Sequence, residues 1–144
     1  MKALDLIKKF EGLSLKPYLD VVGIPTIGYG STYYLDGTKV SMNDKPITQE
    51  LADKLLENVV NKFKADLMPL IKVTLNDNQM SSLLSFAYNL GVGALKKSTL
   101  LKRINEGNFE AAAEEFLKWS KAGGKQVPGL LRSRQEERAL FISR

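Results

Sequence analysis

The feature that most constrains the fold is a long run of apolar residues at helical spacing in the middle of the chain. Its members recur every four positions and share one face of a helix: Leu51, Leu55, Val59, Phe63 and Leu67. Thr48 precedes the run as the expected N-cap, and Pro69 ends or bends the helix. A helix over about 48–69 spans roughly 30 Å at about 1.5 Å per residue, which is enough to join two lobes.

The residues before this helix change character twice. Residues 2–11 have the apolar spacing of a short amphipathic helix, and Gly12 follows as a usual terminator. Glycine, β-branched and aromatic residues then dominate as far as Val40, with a hairpin signal at Asp36-Gly37, so we expect a small antiparallel sheet. The expected strands are Leu15 to Leu19, Thr26 to Tyr29, and a third within Thr32 to Val40.

Beyond residue 70 the pattern is helical. Asn76 and Gln79 form a capping-box start for a helix that Gly91 closes. Pro128 is placed to open the last helix, and a glycine-rich basic loop over Lys121 to Val127 precedes it. The shorter helices expected in between are around Ala94 to Lys97, Thr99 to Asn105, and Phe109 to Trp119 with Asn108 as its cap.

These elements predict an α+β fold in a single domain over residues 1–144, a length that can bury a substantial core. A small antiparallel sheet lobe at about 12–47 would be joined by the connecting helix at about 48–69 to a larger helical lobe. That helical lobe would consist of residues 1–11 and 70–144.

The chain contains no histidine and no cysteine. Their absence excludes serine–histidine triads, cysteine–histidine peptidases and histidine-ligated zinc hydrolases, and it leaves no disulfide. Acid–base chemistry must therefore rest on carboxylates, lysine or tyrosine. We expect no metal ion and no organic cofactor.

The net charge of +5 and the pI near 9.4 indicate an anionic partner, such as nucleic acid, a membrane surface or a bacterial wall. The basic residues are dispersed and no nucleic-acid-binding motif occurs, so nucleic acid is not the expected partner. No run of 18 apolar residues and no signal-peptide core occur, so we expect neither export nor stable membrane insertion. A membrane-anchoring segment before Met1 stays open as an alternative.

Two carboxylates near the N-terminus suit acid–base chemistry. Glu11 continues the apolar face of Leu4 and Ile7, where contact with hydrocarbon would raise its pKa. Asp20 lies between a strand and a loop, where water and backbone donors would keep it ionised. One raised acid beside one ordinary carboxylate is typical of glycosidic bond cleavage. The alternative, which spacing alone favours, is that Glu11 is a helix-end charge and Asp20 a turn residue.

The spacing Glu-x8-Asp-x5-Thr, formed by Glu11, Asp20 and Thr26, resembles that of bacteriophage lysozymes of glycoside hydrolase family 24, the T4 and P22 type. The resemblance covers essentially the whole chain and implies a lysozyme-like fold with an active-site cleft between the two lobes. The blocks that carry it are Phe10-Glu11-Gly12, Thr26-Ile27-Gly28-Tyr29-Gly30, Phe86-Ala87-Tyr88-Asn89-Leu90-Gly91, Trp119, Gly123-Gly124-Lys125 and Pro128-Gly129-Leu130.

The resemblance implies an endolysin, a muramidase that hydrolyses the β-1,4 bond between N-acetylmuramic acid and N-acetylglucosamine in peptidoglycan. Glu11 would protonate the leaving oxygen, Asp20 would be the second carboxylate, and Thr26 would help to hold the attacking water. A water-binding hydroxyl and the family both favour inversion, which the distance between the two carboxyls would decide. The residues expected to bind substrate are Gly28, Tyr29, Gly30, Tyr88 and Asn89.

Several positions keep two interpretations. Many relatives carry a histidine, which looks structural, where this chain has Ser31. The serine therefore puts a local stabilising contact of that histidine in doubt, and not catalysis. In some relatives a C-terminal arginine approaches the catalytic glutamate, and Arg132 and Arg134 are both candidates. Trp119 is expected to pack in the core. Three lysines near the predicted basic loop either attract the anionic wall or form a solvated face. They are Lys118, Lys121 and Lys125.

Two other functions on the same fold stay open. A catalytically inactive wall-binding protein conflicts with the presence of Glu11, Asp20 and Thr26 together, and a lytic transglycosylase would not need Asp20. As an endolysin, the protein is expected to be a monomer that stays in the host cytoplasm until lysis. It would reach the wall or periplasm through a holin-type pore.

Overall fold

The computed structural model describes residues 2–143. The chain divides into two compact units, which we call the N-terminal unit (Ile7–Lys62) and the C-terminal unit (Met1–Leu6 with Phe63–Arg144). The described residues form seven α-helices, two pairs of short strands and one 3-10 turn. In chain order these are α1 (Lys2–Glu11), β1 (Ser14–Leu19), β2 (Pro25–Gly28), α2 (Gln49–Leu67), the 3-10 turn (Met68–Leu70), α3 (Asp77–Leu90), α4 (Val92–Lys96), α5 (Thr99–Asn105), α6 (Phe109–Phe116), β3 (Lys121–Ala122), β4 (Lys125–Gln126) and α7 (Pro128–Ile142).

In the N-terminal unit, β1 and β2 form an antiparallel hairpin. Tyr18 pairs with Thr26 and Leu19 pairs with Pro25, and the register shifts between Ser14 and Tyr18. The first two predicted strands are therefore confirmed. The irregularity at the start of β1 leaves its far end, next to the connection to β2, as the regularly paired part of the hairpin.

The third strand predicted within Thr32–Val40 is wrong. The chain beyond β2 makes isolated bridges instead, Ile27 with Ser31 and Tyr33 with Lys39. Within that segment the backbone bonds to itself instead of to β2, from the N–H of Tyr34 to the carbonyl of Thr38 and from the N–H of Val40 to that of Thr32, both at 2.9 Å. The sheet of this unit consequently has two strands.

Helix α2 anchors the hairpin. The side-chain oxygen of Thr48 accepts a hydrogen bond from the backbone N–H of Leu51 at 3.1 Å, so the predicted N-cap is confirmed. Ile27 of β2, Val40 and Leu55 of α2 are buried together in one apolar cluster. Because β2 and α2 share this cluster, the position of the hairpin is set by the packing of α2.

The helices of the C-terminal unit pack around aromatic side chains. Helix α3 packs against α7, and α6 packs against both α5 and α7. Phe86 meets Phe116 and Trp119 edge to face, with ring centroids 5.9 and 5.5 Å apart, and Phe116 contacts Phe141 at 5.4 Å. Such pairs stabilise the packing beyond the area that they bury. Trp119 thus packs on Phe86, as predicted, although its side chain is only partly buried.

The capping box predicted for α3 is present in both directions. The side chain of Asn76 accepts from the backbone N–H of Gln79 at 2.8 Å, and the Gln79 side chain accepts from the backbone N–H of Asn76 at 2.9 Å. Gly91 follows the helix at φ +97°. The helices predicted before Gly12, around Ala94 to Lys97, at Thr99 to Asn105 and from Pro128 are also confirmed within a few residues.

Two boundaries in the C-terminal unit differ from prediction. Helix α6 ends at Phe116 rather than Trp119, because the next backbone N–H groups bond three residues back, Lys118 to Glu115 and Trp119 to Phe116. The predicted basic loop forms the short hairpin β3–β4. Gly123 and Gly124 occupy its turn with φ of +60° and +80°, as a two-residue hairpin turn requires.

None of the helices within residues 2–143 combines the length and the apolar character needed to cross a bilayer.

Candidate active site

Glu11 is the last residue of α1, and its side chain opens onto a shallow depression of the N-terminal unit. Gly12, at φ +70°, ends the helix immediately after it. The depression is lined by Glu11, Gly12, Leu13, Ser14 and Tyr18. Within residues 7–62, no group hydrogen bonds to the Glu11 carboxyl. The carboxyl group is thus placed at an accessible surface with its bonding capacity unused.

The protonation of Glu11 is shifted toward the acid form. The residue is exposed on one side, yet the protein atoms around the carboxyl remove enough water to raise its pKa above the ordinary 4.5. No hydrogen bond or cation within residues 7–62 opposes this effect. A carboxyl group in this state keeps its proton to a higher pH than an exposed glutamate does.

Tyr18 connects the two carboxylates electrostatically. Burial raises the pKa of the Tyr18 hydroxyl, and the negative charges of Glu11 and Asp20 raise it further. Glu11 and Tyr18 line the same depression, and Asp20 follows Tyr18 by two residues. The β1–β2 hairpin explains the arrangement, since Tyr18 and Asp20 are two residues apart and Tyr18 pairs across the hairpin with Thr26.

Asp20 is held by the turn between β1 and β2. Its Oδ1 accepts hydrogen bonds from the backbone N–H groups of Val22 and Ile24, each at 2.9 Å. Its backbone also bonds to Ile24 and Gly23 at 3.0 Å. Within residues 7–62, Oδ2 accepts no hydrogen bond. One oxygen of this carboxylate is fixed, and the other remains available to a ligand or water.

Thr26 is almost fully buried, with 3% of its surface exposed. Its hydroxyl donates a hydrogen bond of 2.8 Å to the carbonyl oxygen of Ile24. Because the single hydroxyl proton is used in this bond, Oγ1 can only accept from a further partner. Thr26 and Asp20 both bond to Ile24, so the same short turn positions both side chains.

The predicted substrate-binding residues of the N-terminal unit differ in exposure. Gly28 is buried, and a Cβ at this position would lie 3.6 Å from Cβ of Ala52 on α2. Tyr29 is also buried, and its hydroxyl accepts from Nε2 of Gln49 at 3.0 Å. Gly30 is exposed. Gly28 and Tyr29 thus contribute to packing on α2, whereas Gly30 presents its backbone to solvent.

The remaining predicted residues belong to the C-terminal unit. Tyr88 is half-buried, and its ring meets Phe63 edge to face at 6.0 Å. Asn89 is exposed at the end of α3, and its Oδ1 accepts a hydrogen bond of 2.9 Å from Nη1 of Arg134. Of the two candidate arginines, Arg132 is exposed and Arg134 is completely buried. Arg134 is paired with Glu137.

Ser31 is buried at 3% exposure, and its hydroxyl has no hydrogen-bond partner within the described residues. Its backbone is paired with Ile27 in both directions at 2.9 Å. The side chain therefore adds no hydrogen bond at a position that the backbone already fixes. Across residues 2–143, no group of three or more acidic side chains is arranged to hold a metal ion.

Comparison with known proteins identifies the family. A family model for phage lysozyme matches residues 8–137. The endolysin of Bacillus phage B103 is 46% identical over 97% of this chain, which spans only 52% of that relative. The endolysin of Salmonella phage P22 is 42% identical over 95% of this chain and 92% of its own length. The chain also matches a crystal structure of a mutant P22 lysozyme at 39% identity with a TM-score of 0.89. The match covers 99% of this chain and 96% of the P22 lysozyme chain. The chain belongs to the phage lysozyme family.

Membership of the phage lysozyme family confirms three predictions made from sequence. The fold is lysozyme-like, the protein is an enzyme, and its function is that of an endolysin, a muramidase of host lysis. Neither an inactive wall-binding protein nor a transglycosylase gains support from these relatives. The roles of the individual site residues are a separate question, which the geometry of the N-terminal unit addresses.

Tyr18 is the residue of this phage lysozyme site that sequence reasoning missed. A signal was present, because Tyr18 lies only two positions before Asp20, near the end of a predicted strand. The bonds from Val22 and Ile24 to Asp20 could not be foreseen in the same way. They depend on the conformation of the turn rather than on the type of side chain, since backbone groups donate both.

Proposed function

We propose that Glu11, Asp20 and Thr26 carry out the hydrolysis of the β-1,4 bond between N-acetylmuramic acid and N-acetylglucosamine in peptidoglycan. The observation that carries the proposal is the state of Glu11, whose pKa is raised although its carboxyl is exposed and unbonded within residues 7–62. A protonated carboxyl with free bonding capacity can donate its proton to the leaving glycosidic oxygen. Burial alone, without access, would not allow that step.

Asp20 acts as the second carboxylate. The N–H groups of Val22 and Ile24 solvate the negative charge at Oδ1, and Oδ2 is left to bind a water or face the developing charge on the sugar. The fixed turn also limits rotation of the carboxylate. Asp20 is therefore preorganised for one direction of approach, whereas Glu11 has no such restraint within residues 7–62.

Thr26 orients the attacking water. Its hydroxyl proton is directed to the carbonyl of Ile24, so a water bound at Oγ1 must donate one hydrogen to it. A water that also donates to Oδ2 of Asp20 would direct a lone pair away from both, toward the anomeric carbon. This arrangement favours inversion, in which a water attacks from the face opposite the leaving group.

Substrate contacts follow from exposure. Gly30 and Asn89 are exposed and are proposed to contact the peptidoglycan substrate directly, and half-buried Tyr88 is proposed to contribute an edge of its ring. Gly28 and Tyr29 are proposed to support the site from behind through their packing on α2. No metal ion or organic cofactor takes part in the proposed steps.

The test is the configuration of the first product. Proton NMR of purified peptidoglycan during early turnover should show the α-anomer at the new reducing end if inversion operates. Mass spectrometry should show muropeptides that carry one added water. First formation of the β-anomer would refute inversion, and 1,6-anhydro products would refute hydrolysis altogether.

We also propose that the enzyme is a monomer that stays in the host cytoplasm until a holin-type pore admits it to the wall. The support is the similarity to endolysins of Bacillus and Salmonella phages. Expression in a Gram-negative host with and without a co-expressed holin tests this route. Lysis that is equally fast without the pore would refute it, and light scattering would reveal any stable oligomer.

A further inference from the structure

Asn89 is an exposed amide whose orientation is determined by a buried neighbour. Its Oδ1 accepts a hydrogen bond of 2.9 Å from Nη1 of Arg134. A guanidinium group has five donors and no acceptor, so the amide oxygen must face it and the amide nitrogen must face away. Within residues 63–143, Nδ2 of Asn89 donates to no protein acceptor. The side chain thus presents N–H donors to solvent in a fixed direction.

Arg134 is itself held by several contacts. It has no exposed surface, and it makes two bonds to the carboxylate of Glu137, from Nε at 2.6 Å and from Nη2 at 2.8 Å. Ser85 donates to the same carboxylate at 2.6 Å, and the guanidinium lies over the ring of Phe86 at 5.3 Å. Glu137 is also without exposed surface. The Arg134–Glu137 ion pair thus has its hydrogen bonds without any contribution from Asn89.

The bond to Asn89 is therefore surplus to the stability of the buried pair. Arg134 has its counter-ion in Glu137, and Asn89, which accepts from Nη1, is exposed. Water could therefore take the place of the amide oxygen if the Asn89 side chain were shortened. A hydrogen bond to an exposed side chain contributes little to folding. Its clear effect is to remove the freedom of the Asn89 amide to turn its oxygen outward.

We propose that Arg134 is a positioning residue that holds Asn89 as a hydrogen-bond donor to an amide carbonyl of the substrate. The proposal rests on the proposed action on peptidoglycan. That polymer offers amide carbonyls in the acetamido groups of both sugars and in its stem peptides. A donor held in place loses little freedom on binding, so it discriminates in favour of ligands that carry an acceptor at the matching position.

The decisive variant is Asn89→Asp. A carboxylate still accepts from Arg134, so the buried network remains intact, but an acceptor replaces the donor on the outer side. We expect KM on purified peptidoglycan to rise about tenfold, kcat to change less than about twofold, and thermal stability to be kept. Asn89→Leu, which is similar in size and uncharged, should raise KM comparably. An unchanged KM in both variants would overturn the proposal.

A matched control separates donor loss from charge repulsion by the anionic wall. Gln135 is exposed on α7, beside Arg134 in the chain, so Gln135→Glu adds a negative charge without changing Asn89. We expect its KM to stay near the parental value and the defect of Asn89→Asp to persist at high salt. If Gln135→Glu reproduced the defect and salt removed it in both, repulsion would be the cause and the proposal would fail.

The role of Arg134 is tested by a double-mutant cycle. Arg134→Lys keeps the buried charge but loses the forked geometry, and it should raise KM in the parent. In the Asn89→Ala background the same change should have little further effect on KM, because the residue that it positions is gone. Equal increases in KM in both backgrounds would show a merely structural effect and would overturn the positioning role.

Two substrates distinguish the carbonyl that is bound. Intact peptidoglycan carries both kinds of amide, and glycan strands freed of stem peptides by an amidase carry only acetamido groups. A KM defect of Asn89→Asp on both substrates assigns the contact to the sugar, and a defect confined to intact peptidoglycan assigns it to the peptide. Failure of the parent to release new reducing ends would instead refute the muramidase function.

Discussion

Burial raises the pKa values of two glutamates, Glu11 and Glu137, but the two differ in exposure and in hydrogen bonding. Glu137 in the C-terminal unit has no exposed surface, and bonds from Arg134 and Ser85 act against the effect of burial on its pKa. Glu11 in the N-terminal unit is exposed, and nothing within residues 7–62 opposes the effect. The carboxylate of Glu137 therefore serves the packing of its unit, whereas that of Glu11 is accessible to a substrate.

The comparison shows that a shifted pKa does not identify a catalytic group by itself. Structural ion pairs also shift pKa values. What distinguishes Glu11 is the combination of a favoured proton, access from solvent and unused bonding capacity. Substitutions at Glu11 and Glu137 test this distinction directly, and substitutions of surface lysines test the approach to the wall.

The largest effect is expected from Glu11→Gln, which keeps the shape of the side chain and removes the acid. Release of new reducing ends from peptidoglycan should fall by about 10³-fold, the usual scale of general acid catalysis. The free energy of unfolding at neutral pH should not decrease, since no hydrogen bond within residues 7–62 is lost. A variant that retained a tenth of the parental rate would show that Glu11 is not the acid.

The corresponding change in the other unit, Glu137→Gln, should damage stability instead. It leaves the positive charge of Arg134 buried without a counter-ion, so the free energy of unfolding should fall by about 3–5 kcal/mol. Urea unfolding measures this loss, and kcat per folded molecule should stay close to that of the parent.

The double variant Arg134→Met with Glu137→Met is the control for this expectation. Removing both charges together should restore much of the stability, because no buried charge is left unpaired. If the single change Glu137→Gln left stability intact but abolished turnover, Glu137 would belong to the active site and the contrast with Glu11 would disappear.

A smaller effect separates the two glutamates by pH. Folding raises the pKa of Glu11 above its ordinary value of 4.5, so the folded state binds the proton more tightly than the unfolded state. This contribution to stability is full below pH 4.5 and is lost as the pH rises through the raised pKa. The stability of Glu11→Gln relative to the parent, measured by thermal unfolding, should therefore increase as the pH rises across that window. The difference should stay constant at higher pH.

The activity of the parent should decline in the same window, because the general acid loses its proton there. Glu137 is present in both proteins, so its own titration cancels in the comparison of their stabilities. A stability difference that narrowed with rising pH would contradict the raised pKa of Glu11.

The smallest effect concerns the approach to the wall. Lys121 and Lys125 flank the β3–β4 turn and form no ion pair within residues 63–143, whereas Lys118 contacts Glu115 at 2.5 Å. Replacing Lys121 and Lys125 by glutamate should slow the lysis of cells a few-fold at low salt and hardly at all at high salt. Lys118→Gln should change the rate less, and equal losses at all salt concentrations would exclude steering.

Most of the fold could be predicted because its signals are local. Helical periodicity, the capping box at Asn76 and Gln79, and the glycines after α1 and α3 each act within a few residues. The third strand was predicted wrongly because β-branched and aromatic residues favour an extended chain only where the backbone can continue. The segment from Thr32 to Val40 instead turns back on itself around Gly37, at φ +87°, and the sequence does not reveal the sign of a glycine φ angle.

The candidate site was predictable in its residue types but not in its bonds. The spacing of Glu11, Asp20 and Thr26 was visible in the sequence, and so was the apolar position that raises the pKa of Glu11. The anchoring of Asp20 by backbone donors and the bond from Arg134 to Asn89 were not. Both depend on where the chain turns or packs, over 45 residues in the second case.

The turn at Gly123 and Gly124 has a practical consequence for engineering this enzyme. Both glycines project into open space, since a Cβ at either position would meet no atom within 4 Å, and only two residue pairs hold the hairpin together. Lengthening such a loop adds only about 0.6 kcal/mol of closure entropy for each doubling. A wall-targeting peptide or an affinity tag inserted there would join the chain at an existing reversal and would displace no packed side chain.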